Sequence, residues 1–169
     1  MLLAFENTYP NIEKALYIAP NATLVGAVEM GHESTVWFNA TIRADVASIT
    51  IGDGTNIQDN VVIHVNIGKP TVLKEKVTIG HSAVIHACTI GEGCLIGMGS
   101  IILDEADIGE YCFVAAGSLI PPRKHFPPRS LIMGSPARVI RPLTEEELAE
   151  MAENNLHYIE LGYTYSQQS

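Results

Sequence analysis

The sequence predicts an all-β chain wound as a left-handed parallel β-helix and followed by a C-terminal α-helix. Three observations carry this. First, aliphatic residues recur every six positions, often with Gly behind them. An early run reads Ile18, Leu24, Met30-Gly31, Val36 and Ile42; a late one reads Ile90-Gly91, Ile96-Gly97, Ile102, Ile108-Gly109, Val114 and Ile120. A half-buried strand would alternate with period two, and a helix would repeat every 3.6 residues. A period of six fits one short strand and one corner per repeat, with three repeats to a triangular coil. Second, the fifth residue of each hexad should also point inward and must be small. Ala22, Ser34, Ala40, Thr55, Ala83, Cys94, Ser100, Ala106, Cys112 and Ser118 all fall there. Third, Thr144 followed by Glu147 has capping-box spacing, and Leu148, Met151, Ala152, Asn155 and Ile159 then share roughly one helical face.

Taken in order, the hexads run from Ile18 to Ile42. Nine residues separate Ile42 from Ile51, so a short loop is expected at 46–49. Ile51, Ile57 and Ile63 resume the period. Ile79 lies sixteen residues beyond Ile63, which leaves room for a looped hexad near Val72 and a loop at 66–71, where Gly68 and Pro70 are turn formers. Ile85 follows, and Ile90 comes one residue early. Pro121, Pro122, Pro127 and Pro128 disfavour further pairing, so the β-helix should end near 121–128. Gly134-Ser135-Pro136-Ala137-Arg138 reads as an extended crossing segment. The organisation expected is a β-helix domain over 1–142 and, over 143–169, a helix packed on its outside or on a neighbouring subunit.

The 169 residues fit one domain plus a short appendage. A hydrophobic fraction of 47% supports a real core, and a charged fraction of 17% is low. The net charge of −9, with no basic stripe, argues against nucleic-acid binding. No Lys/Arg-led apolar segment opens the chain and no apolar run reaches about 18 residues, so neither a secretory signal nor a membrane span is expected. Cys88, Cys94 and Cys112 are odd in number and lack CxxC spacing, which points to a reduced, cytoplasmic protein. Cys94 and Cys112, at fifth positions, read as small buried residues.

Phasing the hexads onto three faces places the histidines. If Ile42 lies on face A, Ile51 opens B, Ile57 opens C, and Ile63 and Ile85 return to A. Arg43, His64 and His86 are then second residues on face A, on successive rungs about 4.8 Å apart. Two nitrogens on one tetrahedral zinc sit about 3.3 Å apart, so a modest tilt would bring His64 and His86 onto one ion. His81 is a third residue on face C, with Asp59 one rung away and Gln58 beside it. It can join the other two if face C of a second subunit packs against face A, and three-fold packing would make three identical sites. Arg43 and Asp45, beside the same face, suggest an intersubunit ion pair. His32, His125 and His157 read as surface residues.

These residues resemble the γ-class carbonic anhydrases and their bacterial relatives. The matching segments are Ile42-Arg43-Ala44-Asp45, Asn56-Ile57-Gln58-Asp59 with His64 five residues on, and Gly80-His81-Ser82-Ala83-Val84-Ile85-His86. Gly134-Ser135-Pro136-Ala137-Arg138 and the terminal helix look like the bacterial branch. The resemblance covers essentially the whole chain. It implies a homotrimer in which His64, His81 and His86 bind Zn2+, or Fe2+ or Co2+, across the interface. It also implies that Gln58 orients the attacking hydroxide and that Arg43 and Asp45 pair across the interface. Tyr158 is similar to a family tyrosine near the site. Two features depart from the best-studied branch. Val46 stands where that branch has a Glu, and the 66–71 loop has no carboxylate to carry protons away.

Three neutral imidazoles leave an open metal position where water ionises near pH 7 and attacks carbon dioxide to give bicarbonate. Three readings stay open: a carbonic anhydrase that turns over slowly for want of a proton route, a metal-bearing relative with thioesterase or acyltransferase activity, and a non-catalytic trimer that binds metal or a partner.

Overall fold

A computed structural model describes residues 1–168 as a parallel β-helix with one C-terminal α-helix. One face stacks seven parallel rungs: Tyr17–Ile18, Thr35–Val36, Asn56–Ile57, Thr78–Ile79, Leu95–Ile96, Phe113–Val114 and Ser130–Gly134. This is face C. Faces A and B form one continuous sheet, because Thr23–Met30 and Thr41–Ile51 each run through the corner between them. In the upper coils the register advances by three hexads, as in Leu95↔Phe113, Thr89↔Asp107 and Ile101↔Leu119.

The period of six becomes a core of stacked aliphatics. Ile42, Ile63, Ile85, Ile102 and Ile120 fill face A; Ile51, Leu73, Ile90 and Ile108 fill face B; Ile57, Ile79, Ile96 and Val114 fill face C. All are sealed from solvent. The ten small residues at fifth positions are at most 2% exposed. Their polar atoms are satisfied locally: Ser118 Oγ donates to Ala115 O at 2.7 Å and Cys94 Sγ to Gly109 O at 3.0 Å, as buried polar groups require. Coils approach closely at the glycines after the aliphatics, since a Cβ on Gly97 would lie 2.5 Å from Ala116 N.

Four features differ from the sequence reading. The strand Thr41–Ile51 is unbroken, and the extra residues form a bulge at 45–48 while Ile49 pairs with Val28 and Thr71. Leu73, not Val72, is the inward residue of the looped hexad. The prolines do not end the β-helix. They lie in the corners after Leu119–Ile120 and His125–Phe126, where a ladder N–H is dispensable, and a further rung, Ser130–Gly134, pairs with Phe113–Val114. The 134–138 segment is the turn of a hairpin, because Ala137–Pro142 returns antiparallel along Ser130–Gly134.

The helix Glu145–Ser166 begins at a full capping box: Glu147 N donates to Thr144 Oγ1 at 3.2 Å, and Thr144 N to the Glu147 carboxylate at 2.9 Å. It lies on the lower rungs of face C and buries Met151, Asn155 and Gly162. Tyr158 and Tyr165 pack on Trp37 with ring centroids 5.6 and 5.2 Å away. Ala152 is exposed, so the buried stripe is narrower than predicted. Among the described residues no helix is long and apolar enough to cross a membrane.

Candidate metal centre

The site begins with strand register. Val62–His64 and Val84–His86 pair in parallel with His64 opposite His86. Because Ile63 and Ile85 point into the core, the next residue on each strand points out, and the two imidazoles stack on face A. His64 Nδ1 lies 3.2 Å from His86 Nε2, close to the spacing of two ligands on one tetrahedral ion.

The other nitrogen of each ring faces a carboxylate. His64 Nε2 is 3.0 Å from Asp45 Oδ1, and His86 Nδ1 is 2.6 Å from Asp104 Oδ1. Burial pushes the Asp45 carboxyl up, but hydrogen bonds from His64 and a backbone amide, together with Arg43, outweigh it and hold it below the usual range. Asp104 is held down chiefly by the hydrogen bond from Asn66 Nδ2 at 2.7 Å, with His86 adding to it against burial. Ionised carboxylates only accept. The ring protons therefore belong on His64 Nε2 and His86 Nδ1, an assignment made from partners. In neutral rings this leaves two lone pairs facing each other across 3.2 Å, an arrangement that a cation between them would relieve.

Arg43 pairs with Asp45 within the chain. The ion pair predicted across an interface is thus already made inside one protomer, because both side chains leave the same strand two residues apart.

His81 sits on face C, away from that pair. Its Nδ1 is 2.8 Å from Asp59 Oδ2, and its Nε2 is 3.5 Å from the Tyr158 hydroxyl. Burial, with Asp59 nearby, raises the Tyr158 hydroxyl above its ordinary value, so it stays protonated. The His81 N–H donates to Gln58 Oε1 at 3.2 Å, and Gln58 Nε2 donates to Asn56 Oδ1 at 3.2 Å. Asn56 donates in turn to Thr78 Oγ1 at 2.8 Å. Asn155 of the helix closes this buried network on Gly54 O at 3.0 Å. A cavity of about 300 Å³ opens beside it, lined by Gln58, His81, Met98, Phe113, Asn154 and Tyr158 among others.

The structure therefore brings together His64, His86, Arg43 and Asp45 on one face, and Gln58, Asp59, His81 and Tyr158 on another. Within one chain, no three His, Cys, Asp or Glu side chains among the described residues converge as a ligand set. Asp104, Asn66, Asn56 and Thr78 escaped the sequence reading. Asp104 comes from the coil above, where Ile102 pairs with Ile85, and it lies one residue past the position in register with His86, so the period did not mark it; nothing in the loop marks Asn66.

A family model, bacterial transferase hexapeptide (six repeats), matches residues 87–122. The chain is 43% identical to a carbonic anhydrase of Geobacillus kaustophilus, covering 98% of this chain and 91% of that one. It is 39% identical to γ carbonic anhydrase 2, mitochondrial, of Arabidopsis thaliana, over 95% of this chain and 60% of that protein. Among solved structures, a candidate acetyltransferase of Bacillus cereus superposes with a TM-score of 0.97 at 40% identity, covering 100% of this chain and 98% of the other.

Proposed function

The chain belongs to the γ-class carbonic anhydrase family, and on that footing we propose that it hydrates carbon dioxide to bicarbonate at a divalent metal shared between protomers of a homotrimer. The observation that carries this is the 3.2 Å approach of His64 Nδ1 to His86 Nε2, with the other nitrogen of each ring held by an aspartate. Ligating histidines characteristically donate their second nitrogen to such a carboxylate. His81 has the same arrangement, Nδ1 held by Asp59 and Nε2 free of a strong partner, so the third ligand comes from a neighbouring protomer. Zn2+ suits three imidazoles, with Fe2+ or Co2+ also matched to this donor set.

His64, His86 and a neighbouring protomer's His81 would hold the ion, which would supply Lewis acidity for activating water toward carbon dioxide near neutral pH. The chain's own groups do the rest. Gln58 is fixed by His81 N–H and Asn56, which leaves one amide hydrogen of Nε2 to orient the nucleophile or product. Arg43 holds Asp45 against His64, and Asp59 holds His81. Tyr158 remains a hydroxyl donor at the cavity wall.

The trimer is supported by the outward side of face A. Val62, Val84, Ile101 and Leu119 stack in register there beside the histidine pair, with Val62 42% and Ile101 38% exposed. Three unpaired buried cysteines suit the cytoplasm.

The Bacillus cereus relative favours a second reading, acyl transfer or thioester hydrolysis at the same cavity. The deciding experiment loads the protein with zinc, cobalt or ferrous iron and measures carbon dioxide hydration beside acyl-thioester turnover. Hydration above the free-metal background is the expected result. Thioester turnover alone would support the second reading, and neither activity on fully loaded protein would leave a binding trimer.

A further inference from the structure

The 66–71 loop carries no carboxylate, yet it is fastened to two. Asn66 Nδ2 donates to Asp104 Oδ2 at 2.7 Å, and Lys69 Nζ to Glu105 Oε1 at 2.6 Å. Asp104 stands one coil above His86, and its remaining oxygen, Oδ1, lies 2.6 Å from His86 Nδ1. We propose that Asp104, aimed by Asn66, is a positioning residue that fixes the tautomer and tilt of His86. It keeps the ring proton on Nδ1 and turns the Nε2 lone pair toward His64. The consequence for metal binding rests on the function proposed above; the geometry does not.

Two observations separate this role from simple anchoring of the loop. The loop has other fastenings: the Lys69–Glu105 pair, reciprocal backbone hydrogen bonds between Asn66 and Lys69, and Thr71 Oγ1 donating to His64 O at 2.7 Å. The Asp104 oxygens are also divided, one to the loop and one to the ring. A carboxylate that served the loop alone would have no reason to spend an oxygen on His86. With one oxygen taken by the Asn66 amide, the other has a single direction, and the ring must present a donor to it.

The test uses the full chain in two states. In metal-free protein labelled with 15N-histidine, long-range 1H–15N correlation should show His86 as the Nδ1–H tautomer, and Asp104→Ala should abolish that preference. In cobalt-loaded protein, chelator competition should give Asp104→Ala an affinity about 10- to 100-fold weaker, the usual effect of removing such a partner, with a changed cobalt visible spectrum. A swap supplies the rescue. Asn66→Asp alone sets two carboxylates face to face and should weaken cobalt binding. Combined with Asp104→Asn it should restore much of it, because the amide at 104 still accepts from His86 and now donates to position 66. An unchanged tautomer in Asp104→Ala would overturn the proposal, as would a swap no better than Asn66→Asp. Wild-type protein with the tautomer intact but no cobalt bound would overturn the metal reading and leave Asp104 in its positioning role.

Discussion

Gln58 is 5% exposed, and a buried amide left without partners would cost about 1–3 kcal/mol. Its bonds to His81 N–H and Asn56 therefore serve stability and aim at once. Gln58→Ala should keep the metal yet lose about 10- to 1,000-fold in hydration rate, the range seen when one preorganised hydrogen bond to a reacting oxygen is removed. Metal content and steady-state rate on the same sample check both halves. His64→Ala, His81→Ala and His86→Ala should each lose most of the bound metal by elemental analysis, while His32→Ala should not. These positions could be placed from the sequence because a hexad phase assigns each side chain a face and a rung, which put His64 over His86 and Asp59 beside His81. Asn66 could not, because a loop residue has no phase. Nor could the sequence show that Asp104, from the coil above, supplies the carboxylate that the loop lacks.

At the scale of elements, each core aliphatic is one layer of a stack with no space to relax. Ile85→Ala should cost about 2–5 kcal/mol in chemical denaturation, as large-to-small changes at sealed sites do. The aliphatic ladder and the small fifth residues were legible because both are steric demands repeated in every coil. The corner at 45–48 and the final hairpin were not. A bulge in one strand is invisible without its partner, and proline marks a missing N–H without showing that a corner can spare it. The helix start was legible because its capping box is local. Thr144→Ala should cost about 1 kcal/mol. Glu147 is held down to about 2 by the Arg141 side chain first and the Thr144 amide second. Its folded value lies below the ordinary 4.5, so its contribution is complete above pH 4.5 and is lost as pH falls from there toward 2. Melting temperature followed across that window should fall less steeply in Glu147→Gln than in wild type.

At the scale of the molecule, the His64/His86 pair and His81 lie on different faces, so the proposed site requires a second protomer to join them. The apolar column of face A gives assembly a surface: Ile101→Asp places a charge in it and should yield monomers by sedimentation, with metal binding lost although every histidine remains. A sharper test asks which chains supply which ligands. His81→Ala protomers keep the His64/His86 pair, and His64→Ala protomers keep His81. Neither variant alone should hold metal. In a three-fold ring each interface takes the pair from one protomer and His81 from the next. Co-expressing the two variants in equal amounts should therefore rebuild about one quarter of the interfaces, by random assortment around the ring. Metal content and hydration should recover to that fraction of wild type. Co-expressing His64→Ala with His86→Ala should recover nothing, because His64 and His86 stack on adjacent rungs of one chain and no mixture restores both to the same face. Recovery in the second mixture would mean that the pair is split between chains. Failure in the first, with mixed trimers demonstrated by mass, would mean that His81 does not reach a neighbour's pair, and the site would have to be sought within one protomer.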